Sequence, residues 1–199
     1  MNKYYRSCLL VVAALSTVGV SAIPIANPGT EGFPIVTAGG TVTAVYEGNT
    51  ASYSNDLYLE RNADGTPGMD GIQSNDLFIF NNHTSLVGSS VVLGDFAAGL
   101  ELVFRLHVNN TAEDFYSGLA TRNPDGLAHA RVQNEYLPGT TLVSFEDLLN
   151  TPEAPGGYND LSFTFTNTRN TAVPDGGATA LLLGAGLAGV TLLRRRIHS

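Results

Sequence analysis

The stretch ELVFRLHVN, residues 101–109, restricts the fold more than any other part of the chain. Leu102, Phe104, Leu106 and Val108 fall on one side of a two-residue period, and Glu101, Arg105, His107 and Asn109 on the other. Successive side chains of an extended strand point to opposite faces, so this segment is predicted to be a half-buried strand. LSFTFTNT repeats the pattern, with Leu161, Phe163 and Phe165 expected inward and Ser162, Thr164 and Thr166 outward. Further strands are predicted at 41–46, 57–60, 77–81, 90–93, 128–133 and 140–145. The turn signals between them include Asp64-Gly65, Asp70-Gly71, Asn123-Pro124-Asp125-Gly126 and Pro138-Gly139. A run of short strands without a long helical period predicts an all-β fold, an antiparallel two-sheet sandwich of jelly-roll type, over residues 41–172. A single helical turn is expected at 145–149. The proline- and glycine-rich IPIANPGTEGFPIVTAGG, residues 23–40, is expected to be an irregular lead-in.

Apolar segments flank this domain. At the front, Lys3 and Arg6 precede CLLVVAALSTVGV, and small residues stand at Val20-Ser21-Ala22. This order predicts a secretory signal peptide over residues 1–22, cut by signal peptidase after Ala22. The one cysteine, Cys8, lies inside it, so the mature domain is expected to rest on its core or on bound cations rather than on disulfides. Between residues 23 and 172 stand seventeen carboxylates and five arginines, at 61, 105, 122, 131 and 169. So acidic a surface repels phosphate backbones, which argues against a nucleic-acid partner and leaves cations as candidate ligands.

At the back, residues 178–193 carry no charge and are followed at once by Arg194, Arg195 and Arg196. They contain GAGLAG, a formal match to the dinucleotide-binding glycine pattern, but no acidic residue follows Gly189 to hold a ribose. An apolar run closed by a basic cluster instead predicts a transmembrane helix over 178–193, with a cytoplasmic tail at 194–199. Sixteen residues reach ~24 Å of a ~30 Å hydrocarbon layer, a short span that suits a transient anchor. Gly184, Gly186 and Gly189 are then small residues for close helix packing.

Immediately before the apolar run stand Val173, Pro174, Asp175, Gly176 and Gly177. Motif, apolar helix and arginine cluster in this order resemble the C-terminal sorting signal of the PEP-CTERM class in its VPD-type variant. The resemblance implies processing by an exosortase, a membrane enzyme of cysteine-transpeptidase type. An uncleaved single-span anchor is the alternative. A second resemblance rests on Gly94-Asp95-Phe96, Gly99 to Phe104, Arg122 to Ala130, Phe145-Glu146-Asp147-Leu148 and Tyr158-Asn159-Asp160-Leu161. These are similar to an uncharacterised domain family of secreted bacterial proteins over residues 75–167, marked by its FEDL and YNDL pair. That resemblance implies a β-sandwich in adhesin-like proteins and brings no catalytic activity.

Glu146, Asp147, Asn159 and Asp160 form two short acidic clusters that the Pro/Gly loop between them is able to bring together. Oxygen donors of this kind suit calcium, while the plain alternative is capping of local backbone by the same side chains. His129 is expected to serve a hydrogen bond within the fold, since calcium disfavours nitrogen. Asp64, Asp70 and Asp76 lie in a glycine-containing loop that lacks the spacing of an EF-hand, so it reads as a solvated loop before a cation site. The mature domain has no lysine, no cysteine, and neither GxSxG nor HExxH, so no enzyme is expected. Carboxylate pairs such as Glu101 and Glu146 are the ones to weigh for glycoside cleavage, and the absence of tryptophan counts against it. Two classes remain: a non-catalytic surface or matrix protein joined to an extracellular polysaccharide, or a calcium-dependent glycan-binding module with Tyr116, Tyr136 and Tyr158 as stacking candidates.

Overall fold

A computed structural model describes residues 22–150 and 157–170. Among the described residues twelve strands follow in chain order: β1 Ile35–Thr37, β2 Gly40–Gly48, β3 Asn55–Leu59, β4 Leu77–Asn81, β5 Ser90–Phe96, β6 Glu101–Leu102, β7 Phe104–Val108, β8 Glu113–Tyr116, β9 Ala130–Gln133, β10 Thr140–Phe145, β11 Leu161–Thr166 and β12 Thr168–Asn170. Among the described residues the helical content is two single turns of 3-10 helix, Gln73–Asn75 and Ala120–Arg122.

The fold is all-β with three antiparallel sheets. Five strands run in the order β5-β2-β11-β10-β9, four in the order β4-β3-β7-β8, and three in the order β12-β1-β6. The two larger sheets contribute to one apolar cluster, which holds Tyr46, Phe163 and Phe165 from the first and Leu57, Phe80, Phe104 and Leu106 from the second. Aromatic rings join the sheets there: Phe80 lies 5.8 Å from Phe163 at 8° between planes, and Phe104 lies 4.3 Å from Phe165. Burying a ring of this size contributes about 1.5–3 kcal/mol, and a chain without disulfides depends on such terms.

The period-two reading places Leu102, Phe104, Leu106, Val108, Leu161, Phe163 and Phe165 in the interior, where all seven are found. It departs from the structure where local pattern is overridden by what covers a sheet. Residues 101–109 form two strands, because β6 pairs with β1 while β7 pairs with β3, and the break falls at Val103. Residues 23–40 are not wholly irregular, since β1 is central in the three-stranded sheet. Ser162 and Thr164, expected outside, are buried. The chain near Ala26 crosses that face, with Ala26 N–H donating to Ser144 Oγ, which in turn bonds Ser162 Oγ at 3.0 Å. Thr164 Oγ1 donates to Glu47 Oε1.

Arg105, also expected outside, is enclosed because the segment after β3 returns over it and delivers Asp76. The helical turn expected at 145–149 does not form; Asp147 N–H instead bonds a side chain across the hairpin. Among the described residues no helix is long and apolar enough to cross a membrane. The signal peptide up to residue 21, the motif at 173–177, the span at 178–193 and the tail at 194–199 lie outside the described residues.

Candidate metal centre

The β10–β11 ladder begins with Thr140↔Thr166 and its last pair is Phe145↔Leu161. One further step of the same register sets Glu146 opposite Asp160, so the two acidic motifs are brought together by strand pairing. Backbone bonds fix this end of the hairpin: Asp160 N–H donates to Phe145 O at 3.1 Å and Glu146 N–H to His129 O at 3.0 Å. Asp147 N–H then turns inward to Asp160 Oδ2 at 2.8 Å. As a result Glu146, Asp147 and Asp160 each offer a carboxylate oxygen within 4.8 Å of the others, and all three side chains are buried. Glu146 also accepts N–H bonds from Leu148 and from Tyr158, each at 3.2 Å. Tyr158 makes its bond at φ 74°, a left-handed conformation uncommon for a large side chain.

Burial, and then the neighbouring Asp147 carboxylate, push the Asp160 carboxyl up to about 8. Both causes favour the protonated form of Asp160. The donors are all oxygens, the set that hard cations such as calcium prefer and that disfavours soft or imidazole-seeking metals. Asp147, Asp160 and Leu148 also line a pocket of about 220 Å³ together with Thr50, Ser52 and Tyr53, which gives the carboxylates a route to solvent.

Asn159, the fourth expected ligand, is adjacent. Its carbonyl accepts from Thr50 N–H at 2.9 Å, and its Oδ1 is buried without a hydrogen-bond partner. Asn55, at the start of β3, had no signal in the sequence, because it comes from the other large sheet 92 positions away. It is wholly buried, and its Nδ2 donates to Asp147 Oδ2 at 2.7 Å.

The remaining expectations divide as follows. His129 is buried, faces Glu146 O and Asp125 Oδ2 at 3.0 Å each, and stacks on Phe115 at 3.9 Å, as a structural side chain would. Asp64 and Asp70 accept from the backbone N–H groups of Thr66 and Ile72 two residues on, which is turn chemistry. Asp76 belongs instead to an ionic cluster that the sequence did not reveal. There Arg105 donates to Glu60 at 2.7 Å, Asp76 at 2.7 Å and Asp114 at 3.0 Å, and lies 4.4 Å over the Tyr58 ring. Burial pushes Glu60 up to about 7, and burial with the surrounding carboxylates pushes Tyr116 up to about 12. Glu101 grips Arg122 through both oxygens, at 2.7 and 3.0 Å, while Glu146 belongs to the buried cluster. Tyr158 is buried under Arg131 with its hydroxyl on Ala128 O, so it presents no face for stacking; Tyr116 and Tyr136 are half-buried.

The comparison that bears on destination concerns the C-terminus. Residues 172–197 match the VPDSG-CTERM motif. The chain carries glycine at 176 where the motif's name has serine. The match supports a PEP-CTERM-type sorting signal there, implies recognition by an exosortase, and is consistent with export to the cell envelope or surface. No curated protein and no solved structure matches the chain.

Proposed function

We propose that this is a non-catalytic, exported surface or matrix protein. Its signal peptide is removed after Ala22, its C-terminus is held briefly in the membrane by 178–193 and processed by an exosortase-type enzyme near Val173 to Gly177, and the released domain joins an extracellular polysaccharide layer. The observation that carries this reading is the motif match over 172–197. Pro174 and the two glycines after Asp175 suit a non-helical, accessible segment just outside the membrane, and Arg194 to Arg196 suit a stop that stays cytoplasmic. The two larger sheets, sharing one core, are read as the layers of a jelly-roll-like sandwich of the FEDL…YNDL kind. Intact-mass measurement of the protein from a host with the matching exosortase, and from one lacking it, tests the proposal. Loss of residues 178–199 in the first host alone supports sorting. Retention in both refutes it and makes the chain a permanently anchored membrane protein.

A second reading is favoured by the three buried carboxylates: the domain binds calcium through Glu146, Asp147 and Asp160, with Asn159 beside them, and is a calcium-dependent module for a glycan or other surface ligand. Calorimetric titration tests it. Saturable calcium binding that Asp147→Asn removes supports the site, and absence of heat leaves the acidic residues as turn chemistry.

A further inference from the structure

We infer that Asn55 is a ligand of the cation held by Glu146, Asp147 and Asp160, so that the metal ties the four-stranded sheet to the end of the β10–β11 hairpin in the five-stranded sheet. The inference rests on the calcium reading and adds to it a residue and a role. Its basis is a buried amide whose acceptor oxygen is unused. Asn55 is 0% exposed, and its Oδ1 is buried with no hydrogen-bond partner. A buried acceptor without a partner is costly and seldom left so in a native fold unless a water, an ion or a function explains it.

The amide stands against the cluster, with Nδ2 2.7 Å from Asp147 Oδ2. A half-turn about the terminal side-chain bond exchanges the two ends of the amide and puts the carbonyl oxygen where a cation on Asp147 would meet it. Calcium sites commonly mix carboxylates with amide carbonyls in this way. The residue is also firmly placed. Its backbone N–H donates to Asn82 Oδ1 at 2.8 Å, its carbonyl accepts from Asn82 N–H at 3.0 Å, and Asn82 Nδ2 holds Tyr53 O at 2.8 Å. A second acceptor without a partner, Asn159 Oδ1, belongs to the residue before Asp160. The pocket over Asp147 and Asp160 supplies the entry path.

Terbium, a calcium-like ion with the same preference for oxygen, is the probe, and Tyr53 in the pocket wall is placed to sensitise its emission. The full chain, purified in mild detergent, is titrated with terbium, displaced with calcium, and its emission lifetimes in H₂O and D₂O are used to count bound waters. Wild type is expected to give a saturable, calcium-displaceable signal. Asn55→Ala is expected to bind at least about tenfold more weakly and to gain about one bound water, as follows when a protein oxygen leaves the first coordination shell. Asn55→Asp, which keeps the shape and supplies a carboxylate, is expected to bind more tightly with no added water; it decides the matter where Asn55→Ala fails to fold. Saturable wild-type binding with affinity and water count unchanged in the folded variants overturns the role of Asn55 and leaves the calcium reading standing. No saturable signal in wild type overturns both.

Discussion

Arg105→Met tests how much of this fold depends on a buried cation supplied by the chain itself. Methionine matches the length of the arginine stem, so the packing loss is small and the change is mainly electrostatic. In the wild type Arg105 is 3% exposed and reaches Glu60, Asp76 and Asp114 at 2.7, 2.7 and 3.0 Å; the Glu60 and Asp76 side chains are 6% and 1% exposed. Removing one partner of a buried ionic cluster costs about 3–5 kcal/mol, because the remaining charges stay desolvated. With a urea dependence of about 2 kcal/mol per molar, the unfolding midpoint falls by roughly 2 M. The loss also has a pH signature. Burial already raises Glu60 to about 7, above its unfolded value, and loss of the guanidinium raises it further. A carboxyl raised in the folded state stabilises fully below its unfolded pKa, and the contribution is lost as pH rises through the folded one. The gap between variant and wild type should therefore change little from about pH 5 to 6 and widen from about pH 7 to 9, where Glu60 ionises in the wild type before it does in the variant. Urea titrations followed by tyrosine fluorescence across that range measure it. A midpoint drop under about 0.5 M that does not change with pH would refute the reasoning, since uncompensated buried carboxylates cannot be indifferent to protons.

Asp160→Asn mimics the protonated carboxyl, so without calcium it should melt higher than wild type at pH 8.5 and equally at pH 4, because the raised Asp160 loses its contribution as pH climbs from about 4 to about 8. The same variant should lose any calcium-dependent rise in melting temperature, read by differential scanning calorimetry with and without chelator. In wild type that rise should correspond to about 2.7 kcal/mol at free calcium one hundred times Kd. Phe163→Ala removes a wholly buried ring that meets Tyr46, Phe80 and Phe165, and chemical denaturation should show a loss of about 3–5 kcal/mol. Asp125→Ala, which strips acceptors from Leu127 N–H, Asn150 N–H and His129, should cost about 1–3 kcal/mol, with a smaller loss in acid, because the Asp125 carboxyl is held below its usual value and its contribution fades as pH falls.

Strand positions were legible because a half-covered sheet imposes its period directly on sequence, and 77–81 and 140–145 coincide with β4 and β10. Three strands escaped. Ile35–Thr37, Glu113–Tyr116 and Thr168–Asn170 are three or four residues long, too short for a period to show, and the small sheet exists only because β1 meets both β12 and β6. Burial of polar residues was not legible either, since Ser162 and Arg105 read as solvent-facing until the lead-in and the 61–76 segment are placed over them. The candidate site divides along the same line. Glu146, Asp147 and Asp160 were readable because two acidic motifs flanked adjacent strands of one hairpin; Asn55 was not, because only the docking of the second sheet brings it there.

The two buried acidic clusters raise the same physical problem, and the chain treats them differently. Around Arg105 the fold inserts a permanent positive charge among Glu60, Asp76 and Asp114, and covers it with the Tyr58 ring. Around Glu146, Asp147 and Asp160, burial and then the Asp147 carboxylate raise the Asp160 carboxyl and favour its protonated form. A proton is exchangeable where a guanidinium is not, and the carboxyl that favours it lines a pocket open to solvent, while Asn55, bonded to Asp147, keeps a buried Oδ1 without a partner. Under the calcium reading, a cation bound at this junction of two sheets would tie stability to surroundings that are rich or poor in divalent cations. The Arg105 cluster should hold its geometry in either medium, so calcium should change the protection of amides around Asn55 and Asp160 against hydrogen exchange and leave those around Tyr58 and Arg105 as they are.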